Sequence, residues 1–142
     1  MTLNEQIARV LAIPEEIYRL ERTLTRHRAE KRETEDNLKR RAAEVRVRAR
    51  ARVEFQQIKG AAAQEDYLLL AVCEDTDYVE YQKRLRQLQV AIDKTEADIE
   101  ALRREHQSLR AALEGHYARL LEQIFSDRQL AEFVAKHGSH VA

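Results

Sequence analysis

The sequence predicts an all-α protein: a long antiparallel helical hairpin of coiled-coil type, dimerising into a four-helix bundle or an extended coiled-coil assembly. Three observations predict it. Gly occurs three times and Pro once in 142 residues, while 35% of the residues are charged, the usage of long helices. Between Glu15 and Lys59 there is neither Gly nor Pro, so nothing obvious stops a helix. In the second half, apolar residues recur at heptad spacing over five heptads, the pattern of a helix with one partnered seam.

The elements follow in order within a single domain. Thr2 and Glu5 have capping-box spacing and open a short helix over 3–13, with Leu3, Ile7, Val10 and Leu11 on one face. Pro14 can restart a helix, and Glu15 and Glu16 suit the positive end of its dipole. Val10, Ile13, Ile17, Leu20 and Leu24 nevertheless keep a 3-4 spacing through it, so Pro14 is either a kink or a break between in-phase helices. A first arm is predicted over 15–73. The polar "CEDTDY" is the predicted turn, near residue 75, with Asp77 and Glu80 capping a second arm over 77–124. Its seam alternates Tyr78, Leu85, Ile92, Ile99, His106 and Leu113 with Tyr81, Leu88, Thr95, Leu102 and Leu109. After Leu113 the seam slips by one residue to Tyr117, Leu120 and Ile124, near Gly115. Ser126 and Gln129 cap a short last helix over 127–137 that carries Leu130, Phe133 and Val134 and stops at Gly138. Residues 15–73 and 77–137 then make two sides of nearly equal length, roughly 90 Å each if continuously helical.

The stretch "EVRVRARARVEFQ", Glu44–Gln56, alternates like a half-buried strand. No second alternating segment offers it a partner, and Ala and Arg favour helix. On a helix, Leu38, Ala42, Val45, Ala49 and Val53 form one stripe, and Ala43, Val47, Ala51 and Ile58 a second on roughly the opposite side, with Phe55 at its edge. One stripe faces the second arm; the other calls for a second copy, hence a homodimer. The segment "TRHRAEKRETEDN", Thr25–Asn37, holds Ala29 as its only apolar residue. It is either an exposed helix held by pairs such as Glu35–Lys39 and Asp36–Arg40 or a break.

Two features are candidates for function. Lys39, Arg40, Arg41, Arg46, Arg48, Arg50 and Arg52 stand against one acid, Glu44. They are either a surface for nucleic-acid phosphates or the cations of pairs across the hairpin, facing Glu96, Asp98 and Glu100. No aromatic is interleaved to stack on bases. The second feature is an apolar interface set: Val47, Ala51, Phe55, Ile58, Tyr67, Leu68, Leu69, Leu70, Tyr78 and Tyr81. It docks a partner protein or packs in the homodimer.

Other chemistry is not expected. The 25 basic and 25 acidic residues cancel, which gives no global field toward nucleic acid or membrane. Cys73 is the only cysteine and has no neighbouring base to activate it. His106 reads as a polar seam layer, and His137 and His140 in "HGSH" lack the cysteines of a zinc site. No phosphate loop, nucleophile elbow or isolated acid-base pair is present. No catalysis, cofactor or metal is predicted. The N-terminus lacks a secretory pattern and no apolar run approaches a membrane span, which predicts a cytoplasmic location.

The run "QEDYLLLAVCEDTDYVEYQKRLRQLQVAIDKTEADIEALRREHQSLRAAL", Gln64–Leu113, resembles the second half of small coiled-coil proteins encoded by phages and prophages near single-strand annealing recombinases. Asp77-Tyr78, "IEALRRE" and "SLRAAL" carry the resemblance, over about a third of the chain; the segment Ser126–Ala142 departs from it. The resemblance implies a context, phage DNA metabolism, and no catalytic residues. The sequence therefore leads to a non-enzymatic scaffold or protein-protein adaptor, with a nucleic-acid-binding accessory of phage-type recombination or replication as the alternative.

Overall fold

The computed structural model describes residues 1–138. Four helices follow in order: α1 (Leu3–Arg50), α2 (Val53–Gln56), α3 (Ala61–Glu74) and α4 (Thr76–Gly138). No strand occurs among the described residues. The arginine-alternating stretch is therefore helical as far as Arg50.

The start of α1 is the reciprocal cap read from the sequence. The Thr2 N–H donates to Glu5 Oε2 at 2.7 Å, and the Glu5 N–H donates to Thr2 Oγ1 at 3.2 Å. Pro14 lies inside α1 and does not divide it. Proline removes one N–H from the ladder, but its neighbour Ile13 is wholly covered, and packing of that face outweighs one missing bond. The polar segment Thr25–Asn37 is likewise helix throughout.

The chain reverses at 51–60, not near residue 75. The Ala51 and Arg52 N–H groups donate to the carbonyls of Arg48 and Ala49, closing the end of α1 with tight i−3 bonds. After α2, the Gln64 side chain donates to the Ile58 carbonyl at 3.1 Å. Gly60 has φ 99° and ψ 134°, a region essentially confined to glycine. Near residue 75 there is only a one-residue interruption. Asp75 is extended (φ −68°, ψ 126°), and its Oδ2 accepts from the Tyr78 N–H at 2.9 Å, capping α4. The cap thus sits two residues before Asp77. The expected break at Ser126 is also absent, since α4 runs through it.

Contacts divide the chain into two units, Arg19–Asp98 and the pair formed by Met1–Tyr18 with α4 from Ile99 onward. In the first, α3 and α4 both run antiparallel to α1: Arg46 meets Glu65, Arg41 meets Asp75, Glu30 meets Arg84, and Arg28 meets Glu96. Its core holds Leu24, Val45, Ala49, Leu68, Val72, Leu88 and Ile92, with Thr34 and Thr95. Both threonine hydroxyls donate to carbonyls of their own helix, Glu30 and Ala91, at 2.8 Å. Their methyl groups can then fill the seam without leaving a polar group unpaired. Lys31 Nζ donates to Gln89 Oε1 at 2.7 Å. In this way a segment with one apolar residue still makes a covered seam.

In the second unit, Ile13 and Ile99 are buried, and Arg9 makes a bidentate pair with Glu105 at 2.7 and 2.9 Å. All eleven heptad positions from Tyr78 to Leu113 are buried or half-buried. From His116 to His137 every residue is exposed. The reason is length. With Arg9 against Glu105, the first residues of α1 fall opposite about residue 111, and the described chain offers α4 nothing beyond that.

Candidate functional site

Reversal at 51–60 decides which carboxylates the arginines meet. The Arg41 guanidinium grips Asp75 with both Nε and Nη2 at 2.8 Å, and also approaches Glu44 at 3.5 Å and Asp77 at 3.6 Å. These hydrogen bonds hold the Asp75 carboxyl at about 2, below its usual value, against the opposing effect of burial; the Tyr78 N–H adds to the lowering. The same pairing raises the Arg41 guanidinium above its ordinary range. Arg46 pairs with Glu65 at 2.8 Å. Arg52 is held above its ordinary value chiefly by a hydrogen bond with Tyr67.

Glu96 and Glu100, the acids expected across the hairpin, pair elsewhere: Glu96 with Arg28, and Glu100 with Arg104 along α4. Lys39, Arg40 and Arg50 are exposed and close no ion pair among the described residues. Arg48 is exposed and acts on Asp75 through its charge alone. A cleft of about 310 Å³ between α1 and the α3–α4 junction is lined by Arg41, Arg48, Arg52, Glu74 and Asp75, among others. The seven candidate cations thus separate into the ion-paired Arg41 and Arg46, Arg52 bonded to Tyr67, Arg48 beside Asp75, and an outward set, Lys39, Arg40 and Arg50.

The apolar candidate set separates too. Leu68 is 3% exposed and belongs to the chain's own core. The Phe55 and Tyr67 rings meet at 5.9 Å, fastening the reversal to α3. Ile58, Tyr78 and Tyr81 are half-buried. Val47, Ala51, Leu69 and Leu70 remain exposed. Of the second stripe, Ala43 and Val47 on α1 and Ala51 just past its end are therefore bare within one chain, while Ile58, beyond α2, is partly covered.

A larger apolar surface lies where the equal-arms reading put a partner. Tyr117, Leu120, Leu121, Ile124 and Phe125 are 42–64% exposed, and Leu130, Phe133 and Val134 lie beyond them. The signal that finds it is Gly60, the first glycine after Lys59. Read as the reversal, it shortens the first arm by about fifteen residues and strands the end of the second.

The remaining candidates are isolated. Cys73 is exposed. His27 lies in the α1 seam with its Nδ1 buried and unpartnered, His106 is half-buried, and the His137 ring rests on Phe133 at 4.4 Å. His140 falls outside the described residues, and among the described ones no cluster of metal-ligating side chains occurs. No helix of the described residues is long and apolar enough to cross a membrane. No family model, characterised protein or solved structure matches the chain.

Proposed function

We propose that this chain is a non-enzymatic, self-associating helical-hairpin protein that serves as a structural scaffold or protein-protein adaptor. The observation that carries the reading is the bare apolar surface of α4 from Tyr117 to Val134. Tyr117, Leu120, Leu121, Ile124 and Phe125 share one side of α4, and a contiguous exposed apolar surface marks an interaction site. Light scattering across micromolar concentrations tests the reading. A mass of twice 16.6 kDa is the expected result, and a monomer throughout the range contradicts it.

A second reading, the nucleic-acid-binding accessory, is favoured by the outward set Lys39, Arg40 and Arg50, which no carboxylate neutralises among the described residues. The resemblance to phage recombination-module proteins supplies its context. The triple variant Lys39→Glu, Arg40→Glu, Arg50→Glu separates the readings without touching the Arg41 and Arg46 pairs. If these cations meet phosphates, the slope of log affinity against log salt falls by about 2–3. Wild-type protein with no salt-sensitive binding to DNA removes this second reading.

A further inference from the structure

The uncovered part of α4 continues the face that α1 covers. Along a helix at 100° per residue, Tyr117, Leu120 and Ile124 lie within about 60° of one another and of the covered Leu113. The same 3-4 spacing then runs on through Asp127, Ala131 and Val134. This exposed seam is unequal end to end. Its first half is large and its second half is small, with a carboxylate in between. That inequality discriminates between ways of covering it.

A parallel second copy sets Tyr117 on Tyr117, Ala131 on Ala131 and Asp127 on Asp127. It leaves a void at the small end and opposes like charges in the middle, both unfavourable. An antiparallel copy sets Tyr117 against Val134, Leu120 against Ala131, and Ile124 against Asp127, with each layer repeated by the two-fold axis. Large then meets small. In that arrangement Arg128 of each chain lies about one turn, roughly 6 Å, along the axis from Asp127 of the other, and neither side chain closes an ion pair within its own chain among the described residues.

We infer that the exposed seam Tyr117–Val134 is a docking surface for a second copy of this chain, paired antiparallel about an axis between Phe125 and Ser126. The inference rests on the self-association proposed above and adds its place and direction. Because the seam is exposed in the single chain, substitutions there leave the hairpin's own core intact.

Two single-cysteine proteins test it, Y117C and V134C, each in a C73S background, treated separately and mixed with a short-span bismaleimide. Antiparallel pairing gives a crosslinked dimer from the mixture and none from Y117C alone, whose two cysteines are roughly 26 Å apart along the axis. Crosslinking of Y117C alone overturns the direction. Absence of crosslinks while light scattering still shows a dimer overturns the place and leaves self-association standing. A monomer with no crosslinks removes both.

Discussion

Arg41 and Asp75 tie α1 to the start of α4. One carboxylate answers two demands: its oxygens accept both arms of the Arg41 guanidinium, and Oδ2 also caps α4. Because its pKa is depressed to about 2 in the folded chain, the pair's stabilisation is complete above the ordinary carboxylate value. It is lost as pH falls from there through about 2. Asp75→Asn keeps the cap's shape and removes the charge, so it is expected to destabilise the chain by about 1–2 kcal/mol at pH 7. The difference from wild type in urea unfolding shrinks toward zero near pH 2; a difference that persists there contradicts the pairing. The sequence showed Asp75 only as part of a polar cluster. Its partner is 34 residues away, and no local spacing reveals a pair whose register depends on where the chain turns.

At the scale of the element, everything depends on Gly60. No side chain obstructs a Cβ there, since nothing lies within 4 Å, so the requirement for glycine is purely one of backbone angle. Gly60→Ala is expected to cost about 1–3 kcal/mol from the left-hand φ alone, read as a lowered urea midpoint with an unchanged slope. A neutral result shows that the reversal does not need that conformation. The helices themselves were legible because heptad spacing and the absence of breakers are local properties. Thr2 and Glu5 were legible for the same reason. The turn was misplaced because "CEDTDY" is rich in polar and capping residues, which signal helix starts whether or not the chain changes direction; here one extended residue, Asp75, suffices. The seam through Thr25–Asn37 was missed because Thr34 is its buried position and His27, Glu30, Lys31, Glu35 and Asn37 its half-buried ones, which no hydrophobicity pattern picks out. Burial there works through methyl groups and aliphatic stems.

For the molecule as a whole, the feature that matters lies in the unit of Met1–Tyr18 and α4 from Ile99 onward, where α4 outlasts the start of α1. The candidate sites inherit the early reversal. Arginines expected to bridge to Glu96 and Asp98 are instead paired near the bend or left outward, and of the apolar interface set Leu68 is folded into the core. The sequence places the apolar face left over by the hairpin on α1's second stripe, whereas the larger bare surface is on α4. Hydrogen exchange followed along the chain over a dilution series tests this account most directly. Amides around Leu88–Ile99, covered by the chain's own α1, are expected to be protected at every concentration. Those from Tyr117 to Val134 are expected to be protected only at concentrations where the protein is dimeric, and to exchange freely on dilution. Protection of Tyr117–Val134 that does not change with dilution contradicts the account, because it means that the chain covers this segment by itself.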